Sequence, residues 1–589
     1  MQFEKTEAPG VCRIRRTAAA VVVRYGAVAM AMRALSAIMA GLAPRSGELI
    51  ETAPFTTFGM MLDCSRNAIM KVEYFKKWLR RLTLLGYNMA MLYTADTYEI
   101  RGEDYFGYLR GSYTAGELRE IDDYAAALGI EMVACIQALG HLDQVLKWPA
   151  YRDVTDTNSE LLVGEKKTYE LLEKMIGHWH KVFRSRRIHI GMDETGDLGR
   201  GRYLDRHGWR PSLDVYNEHL ARAAKICGKY GLAPMIWSDM YFVWGSKRHW
   251  LYDPKAVIPR RVVKSIPQAA QLVYWNYYNE KPEIYLNMIK AHRRIGKEPV
   301  MASGVWTWYS FWHNRKFTEK HAGACIAACR QARLKEIFFT LWMDGGGYCD
   351  IDSGLAGLAF VAEKAYAGSF SEKALAKRFR AVCGANYHAQ ILASDLETET
   401  RVHRYSASLL WDDPLLAIML SHKRAKGPGT LAKMEAHYAA LARKLKPYER
   451  ETAAGRIRHA RLLAATLAAK IGLAKRLCAA YAARDRKRLM AVQKEIPALI
   501  GLLEKAADSF RSIWMERNKP FGLEVQQIQM AGIIARYREL DRRLSEYLAG
   551  RGPGLPELDA NAVPPRGEPA GYTYRHVAMG SMAIRSAVF

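Results

Sequence analysis

Residues 188–194 read Ile-His-Ile-Gly-Met-Asp-Glu, a short apolar stretch followed by a glycine and two adjacent carboxylates. This pattern is typical of an inner strand of a parallel barrel that ends at an active site, because catalytic groups in such barrels lie where strands end. A pair of carboxylates is also the usual equipment for cleaving a glycosidic bond. Asp193 and Glu194 are therefore the first catalytic candidates. Neighbouring side chains of an extended strand point to opposite faces, so both can serve one pocket only if the chain leaves the extended path there.

Short apolar stretches alternate with helical patterns on both sides of this segment, from about residue 55 to residue 370. Most of the stretches are continuously apolar, as expected of strands that are buried on both faces of a parallel sheet. Eight such units over roughly 300 residues fit a (β/α)₈ barrel, whose usual size is about 250 residues before insertions. The candidate strands are 58–62, 89–93, 131–136, 188–192, 234–238, 272–275, 300–305 and 337–342, and the candidate helices between them include 72–85, 115–128, 168–183 and 213–230.

Beyond about residue 370 the strand signals fade and helical periodicity takes over. Leu463, Leu467 and Ile471, for example, follow the three-to-four spacing of one helix face. We therefore predict an α/β protein with three parts. They are a short N-terminal α/β domain over residues 1–50, a (β/α)₈ TIM barrel over residues 51–370 and an all-helical C-terminal domain over residues 371–589.

The composition is that of a globular protein of 589 residues, 50% of them hydrophobic and 25% charged. The nine cysteines include no CxxC pair, and their odd number in a long chain indicates reduced thiols and a cytoplasmic location. No uncharged stretch reaches the roughly 18 residues that a membrane span needs, so we expect no association with a membrane.

The net charge of +27 is concentrated in one region, since residues 421–490 hold 18 Lys or Arg against 4 Asp or Glu. The densest part, residues 484–488, is predicted to crowd four basic side chains onto one short helical stretch. Two interpretations stay open, a solvated helical face and a surface for a partner that carries phosphate or sulfate. Because no nucleic-acid-binding motif accompanies the charge, we expect no nucleic-acid partner.

Side chains suited to sugar binding follow the ends of the other candidate strands. Carboxylates can hold hydroxyl groups, and tryptophan rings stack on the faces of pyranose rings. Because the carboxyl ends of barrel strands meet at one mouth, we expect these side chains to line one pocket. The candidates are Arg66, His141, Trp237, Trp275, Tyr277, Trp306, Trp342 and Asp344.

With these motifs the chain resembles glycoside hydrolase family 20, the β-N-acetylhexosaminidases, and within it the bacterial intracellular-type subgroup that carries a helical C-terminal domain. The initial residues resemble an abbreviated version of the family's N-terminal α/β domain. The segments that carry the resemblance are LDCSR at 62–66, YFGYLR at 105–110, ACIQALGHL ending at residue 142, HIGMDE at 189–194, PMIWSDM at 234–240, LVYWNYY at 272–278, TLWMD at 340–344 and KPFGLEV at 519–525.

The resemblance implies an exo-acting, retaining hydrolase of terminal β-linked GlcNAc or GalNAc that needs no cofactor and no metal. Family 20 uses no enzyme nucleophile, because the 2-acetamido group of the substrate attacks the anomeric carbon and gives an oxazolinium intermediate. Glu194 would be the general acid and then the base, and Asp193 would orient the acetamido N–H group. Two adjacent carboxylates repel each other, so we expect the pKa of one of them to be raised.

Further roles follow from motif position. Trp237, Trp275 and Trp342 would wall the pocket, and Asp344 would bind the outer hydroxyls. His141 matches the family's histidine after the third strand. For the acetamido carbonyl the resemblance leaves two sources open, Tyr277 and the region after the seventh strand, where this chain has Trp306, Trp308 and Tyr309.

The chain departs from the family at three places. It has Phe58-Gly59 where many members have Arg-Gly, so Arg66 or Arg110 would have to grip the sugar hydroxyls. It has Gln137 where an aspartate is common, and glycines at 345–347. A catalytically silent carbohydrate-binding barrel is the alternative function. The expected partners are oligosaccharides or glycoconjugates that end in N-acetylhexosamine, and a homodimer is left open.

Overall fold

A computed structural model describes residues 1–560, apart from residues 18–19, 368–369, 399–405, 428 and 552–553. The chain begins with a four-stranded sheet whose spatial order is β1-β3-β2-β4, and helix α1 (Val28–Met39) packs on it. β1 pairs with β3 in parallel, and the other pairs are antiparallel. The predicted domain boundary at residue 50 falls inside the last of these strands. The four strands are β1 (Gln2–Lys5), β2 (Val11–Arg16), β3 (Val21–Tyr25) and β4 (Glu48–Thr52).

Eight parallel strands form a closed barrel, which confirms the predicted fold class. The last strand closes onto the first with a register that runs from Glu336 opposite Thr57 to Leu341 opposite Leu62. The barrel strands are almost wholly buried, as their continuous apolar sequences indicate. In chain order they are β5 (Thr57–Asp63), β6 (Met89–Tyr93), β7 (Glu131–Cys135), β8 (Arg187–His189), β9 (Ala233–Trp237), β10 (Gln271–Trp275), β11 (Val300–Gly304) and β12 (Glu336–Leu341).

Helices surround the barrel and end where their sequences provide caps. Thr114 and Glu117 form a capping box at the start of the helix after β6, so two N–H groups at that terminus are satisfied. The helix after β5 ends at Gly86, whose φ of 95° suits glycine at a C-terminal cap. The helices of this part are α2 (Val72–Leu85), α3 (Ala115–Ala127), α4 (Asp143–Leu146), α5 (Lys166–Val182), α6 (Arg202–His207), α7 (Ser212–Lys229), α8 (Asp239–Gly245), α9 (Arg260–Ser265), α10 (Pro282–Arg294), α11 (Arg315–Gln331) and α12 (Gly354–Tyr366).

The remainder of the described chain is helical, and its last long helices, with the turn that joins them, contact the mouth of the barrel. Lys519 Nζ donates to Ser112 O at 2.9 Å, and Gln526 Nε2 donates to Gly346 O at 3.0 Å. These bonds tie the helical part to the loops that follow β6 and β12. The helices are α13 (Glu372–Cys383), α14 (Tyr387–Ala393), α15 (Ser406–Trp411), α16 (Ile418–Ala425), α17 (Thr430–Leu445), α18 (Ile457–Ala482), α19 (Arg486–Arg517), α20 (Leu523–Leu548) and α21 (Pro556–Ala560).

The basic residues 484–488 do not share one helix, which corrects the sequence prediction. Arg484 lies in the turn between α18 and α19 with a φ of 50°, and Asp485 caps α19 by accepting the N–H of Arg488 at 3.0 Å. A short polar side chain that can bond to nearby N–H groups favours a helix start at this position. Within the described residues no helix combines the length and the apolar character that a membrane crossing requires.

A buried group of four charges joins the N-terminal sheet and α1 to helices α12 and α13, and we refer to it as the Arg33 cluster. It consists of Arg33, Glu51, Glu363 and Arg378. Arg33 Nη2 lies 2.9 Å from Glu51 Oε1 and 3.0 Å from Glu363 Oε1. Arg378 reaches the same two carboxylates at 2.9 Å and 2.6 Å. Each charge therefore has two partners of opposite sign.

Candidate active site

The turn that carries the two adjacent carboxylates begins earlier than predicted. β8 ends at His189, whereas the candidate strand ran to residue 192. Gly191 and Met192 have φ values of 70° and 72°, and Glu194 has a φ of 50°. The backbone has thus left the extended path before Asp193, which removes the geometric obstacle to both side chains serving one pocket.

Three side chains from other elements hold this turn. Gln137, after β7, accepts the N–H of Met192 at 3.2 Å through Oε1. Tyr216 of α7 donates its hydroxyl to Met192 O at 3.0 Å. Asp239, the first residue of α8, accepts the N–H of Glu194 at 3.0 Å through Oδ2. A left-handed conformation is unfavourable for residues with a side chain, so these contacts stabilise a strained segment.

His141 lies between the two carboxylates. Its Nε2 is 3.3 Å from Asp193 Oδ2 and 3.5 Å from Glu194 Oε2. Gln137 Nε2 donates to the other oxygen of Asp193 at 2.8 Å. The side chain of Asp193 is 11% exposed, whereas that of Glu194 is 55% exposed. The site therefore has one enclosed carboxylate and one that reaches towards solvent.

Burial and charge separate the acid–base properties of these groups. Burial disfavours ionisation of Asp193, but attraction and hydrogen bonding to His141 outweigh burial and lower its pKa. Burial likewise opposes a charge on His141, but its pKa is raised well above its usual value by Asp193, with Glu194 adding to the effect. The carboxyl group with a pKa raised well above the ordinary range is Asp239, through burial and repulsion from Asp193.

The sequence prediction of a raised pKa within the adjacent pair is therefore wrong for Asp193. The prediction counted repulsion between the two neighbours and could not include His141, whose Nε2 lies 3.3 Å from Asp193 Oδ2. The raised pKa is found one strand further along the barrel, at Asp239.

The same three groups offer a possible set of metal ligands. One ligand atom each from His141, Asp193 and Glu194 lies within 4.8 Å of the other two. A metal ion requires the neutral imidazole, so the proton that the two carboxylates hold on His141 would have to leave first. The ion pair and a bound metal ion would therefore exclude each other, because both would use the same atoms.

Aromatic side chains from four strand ends enclose a cavity of about 260 Å³ in front of the carboxylates. Trp237 follows from β9, and Trp275 and Tyr277 come from the end of β10 with their rings stacked at 5.3 Å. Trp342, after β12, lies 6.1 Å from Trp237, measured between ring centroids. The predicted walls Trp237, Trp275, Tyr277 and Trp342 all line this cavity.

Arg66 and Asp344 form the polar end of the cavity. Arg66 Nη1 lies 3.1 Å from Asp63 Oδ2, and Arg66 Nη2 lies 3.7 Å from Asp344 Oδ1. The guanidinium carbon of Arg66 also lies 5.0 Å from the centroid of the Trp342 ring, a cation–π distance. Arg110 instead pairs with Asp96 at 3.2 Å. Of the two arginines that the sequence left open, the structure brings Arg66 to the cavity.

Trp306 is the predicted site residue that the structure puts elsewhere. It is 2% exposed and lies behind Trp308, with the two ring centroids 3.8 Å apart. Its backbone N–H donates to Thr318 Oγ1 of α11 at 2.9 Å, and this bond holds the turn that directs the residue away from the cavity just after β11 ends at Gly304. Trp308, two residues further along the chain, lines the cavity instead.

Tyr278, Trp308 and Tyr309 line the cavity although they were not among the chosen site residues. The sequence signal for them was proximity to strand ends in the segments 275–278 and 306–309. Which ring of such a run faces inward depends on how the chain turns after the strand, and local sequence does not specify that turn.

Comparisons with known proteins agree on one family. Residues 55–282 match the model for "Glycosyl hydrolase family 20, catalytic domain", and residues 389–574 match that for "Glycoside Hydrolase 20C C-terminal domain". Human hexosaminidase D is 24% identical over 235 residues, which cover 38% of this chain and 46% of that protein. Arabidopsis thaliana beta-hexosaminidase 3 is 23% identical over 217 residues, covering 34% and 40%. The chain therefore spans less than half the length of these two curated relatives.

Solved structures share the fold at low sequence identity. A crystal structure of a beta-N-acetylhexosaminidase is 13% identical with a TM-score of 0.51, covering 65% of this chain and 92% of that one. The family 20 exo beta-N-acetylglucosaminidase of Vibrio harveyi, solved with N-acetylglucosamine, is 15% identical with a TM-score of 0.50, covering 64% and 67%. At such identities the likeness concerns the fold alone.

Proposed function

Because the chain belongs to glycoside hydrolase family 20, we propose that it is an exo-acting, retaining β-N-acetylhexosaminidase. Its substrates are oligosaccharides or glycoconjugates that end in β-linked GlcNAc or GalNAc. The observation that carries the proposal is the convergence of His141, Asp193 and Glu194 in a single aromatic cavity, with Arg66 and Asp344 at the polar end. A cavity of about 260 Å³ supports binding of one terminal sugar, and hence exo action.

Asp193 is the group that orients the acetamido substituent. It is enclosed, and the pairing with His141 that lowers its pKa keeps it anionic through the neutral range. An anionic oxygen accepts the acetamido N–H and offsets the positive charge that develops on the oxazolinium ring. The substrate's own carbonyl oxygen then attacks the anomeric carbon, with the advantage of a pre-positioned intramolecular nucleophile.

Glu194 transfers the protons. Its carboxyl group gives a proton to the leaving oxygen as the glycosidic bond breaks, and then takes one from the water that opens the oxazolinium ring. The 55% exposure of this side chain supports both steps, because leaving group and water must approach from the open side of the cavity. The positive charge of His141 holds the two carboxylates side by side.

The remaining lining residues select the sugar. Trp237, Trp275 and Trp342 pack on the ring and the acetamido methyl group, and Tyr277 donates to the acetamido carbonyl. Arg66 and Asp344 together offer donors and acceptors for the outer hydroxyls. The cytoplasmic location remains a prediction, and a homodimer remains open.

A panel of aryl β-glycosides tests the proposal. We expect release from the N-acetylglucosaminide or the N-acetylgalactosaminide, and a rate on the plain glucoside lower by about 10³-fold or more, because the plain sugar lacks the internal nucleophile. Equal rates with and without the acetamido group would contradict assistance by the substrate. Binding of N-acetylglucosamine with no turnover of any aryl glycoside would instead favour the silent carbohydrate-binding barrel.

A further inference from the structure

Asp239 lies directly behind the acid–base group and has an incomplete set of partners. Its side chain follows β9 and is 1% exposed. Oδ2 accepts the backbone N–H of Glu194 at 3.0 Å. Among the described residues Oδ1 has no hydrogen-bond partner. A buried carboxyl oxygen without a hydrogen-bond partner costs free energy.

The bond that Asp239 accepts falls on a strained residue. Glu194 has a φ of 50°, which side-chain-bearing residues rarely adopt and which persists only when the surroundings enforce it. Gln137 and Tyr216 hold Met192, two residues earlier, through its N–H and its carbonyl. Within the described chain, Asp239 provides the side-chain hydrogen bond to the backbone N–H of Glu194 itself.

We propose that Asp239 is a positioning residue for the reaction, whose carboxyl group fixes Glu194 in its left-handed conformation and so aims the Glu194 side chain into the cavity. The inference rests on the proposed function, since it concerns the aim of the acid–base group. Asp239 acts through the backbone of Glu194 and does not touch the substrate.

A neutral carboxyl group suits this task. Burial and repulsion from Asp193 raise the pKa of Asp239 well above its usual range. Its carbonyl oxygen can then accept the N–H of Glu194 without adding a third negative charge beside Asp193 and Glu194. An amide has the same shape and also presents a carbonyl oxygen, so asparagine should replace aspartate here, whereas leucine should not.

The test compares Asp239→Asn with Asp239→Leu on an aryl N-acetylhexosaminide in the full-length protein. We expect Asp239→Asn to keep kcat within about 5-fold of the original. We expect Asp239→Leu to lose about 100-fold in kcat, the scale of a displacement near 1 Å at a reacting group. KM should change by less than about 3-fold in both variants, because the sugar-binding walls are untouched. Only interactions that form in the transition state are weakened, and these determine kcat.

Asp239→Ala is the second variant in case leucine overpacks the site and prevents folding, and thermal unfolding checks each protein. A kcat for Asp239→Leu or Asp239→Ala close to the original would overturn the inference. So would equal impairment of Asp239→Asn and Asp239→Leu, since charge rather than an acceptor oxygen would then matter. An inactive original protein would overturn the proposed function itself, so the two failures are distinguishable.

Discussion

The molecule contains two groups of charged side chains that differ in how each charge is paired and how far it is exposed. In the Arg33 cluster each charge meets two opposite charges within 3.0 Å, and the side chain of Glu363 is only 6% exposed. At the candidate active site one histidine must serve two carboxylates, and Glu194 is 55% exposed. In the first group each charge has two enclosed partners of opposite sign, whereas in the second the carboxyl group of Glu194 is open to an incoming molecule.

Backbone conformation separates the two groups as well. The Arg33 cluster joins residues of ordinary helices and a strand, while Glu194 and Met192 have positive φ values. Strained residues and perturbed pKa values concentrate at functional sites, because they oppose stability and persist only where they are used. The contrast teaches that buried charge alone does not mark a site. A partly exposed charge on a strained turn does.

The sharpest way to break this comparison is the same substitution made in both groups. Glu194→Gln keeps the shape of the side chain but removes its proton transfer. We expect kcat on an aryl N-acetylglucosaminide to fall by about 10³-fold or more, within the range that general acid–base catalysis contributes. Because the side chain is half exposed, the free energy of unfolding should change by less than about 0.5 kcal/mol.

Binding of N-acetylglucosamine, measured by calorimetry, should survive in this variant and serves as its control. Turnover by Glu194→Gln at the original rate would mean that another group transfers the proton, and the assignment of Glu194 would be abandoned.

Glu363→Gln is the matched change in the Arg33 cluster, and the comparison predicts the opposite result. Removing one partner from a buried ion pair leaves an uncompensated charge, which costs about 3–5 kcal/mol. Arg33 and Arg378 would both lose a carboxylate here. We expect denaturant unfolding at lower concentration, with kcat of the folded protein at 25 °C unchanged within about 2-fold. A loss of kcat without a loss of stability would show that the clusters are coupled.

The pH dependence of stability sharpens the comparison further, because the pKa values of His141 and Asp193 are displaced. The raised pKa of His141 means that its stabilising ion pair is complete below the unfolded value of about 6.5 and is lost as pH rises through the higher folded value. The lowered pKa of Asp193 means that its contribution is complete above the unfolded value of about 3.9 and is lost as pH falls through the folded value.

We therefore expect the contribution of the His141–Asp193 pair to the free energy of unfolding to stay level from about pH 4 to about pH 6.5, and to be lost at higher pH as His141 deprotonates. Titration of the His141 imidazole by NMR, assigned with a His141→Asn variant, measures the pKa directly. A midpoint below 6.5 would contradict the ion pair.

The sequence was sufficient for the barrel and for the family, both of which are confirmed. Seven of the candidate strands lie within one residue of the observed ones at either end, because strands buried on both faces leave a continuous apolar signal. The exception is β8, which ends three residues early. Its end is decided by Gln137, Tyr216 and Asp239, which come from distant parts of the chain.

For the same reason, some properties of the site could be predicted from the sequence and others could not. Asp193, Glu194 and His141 sit in short motifs that fix their distance from a strand end, and the structure brings them together. The pKa of Asp193 depends on which cation approaches it in space, and neither spacing nor periodicity contains that information. The exchange of Trp306 for Trp308 likewise follows from a turn that is anchored by Thr318 of α11.

The exchange of Trp306 for Trp308 in the cavity lining leads to the prediction with the smallest expected effect on activity. Trp342 lines the cavity and lies against Arg66, whereas Trp306 is buried behind Trp308. We expect Trp342→Phe to raise KM for an aryl N-acetylglucosaminide by about 5-fold or more, because a wall for the sugar is shortened. Trp306→Phe should leave KM within about 2-fold and cost about 1–2 kcal/mol of stability through lost packing. Steady-state kinetics and thermal unfolding of both variants separate these outcomes. If Trp306→Phe raised KM as much as Trp342→Phe, the sugar would reach behind Trp308, and the cavity would have to be deeper than its described lining.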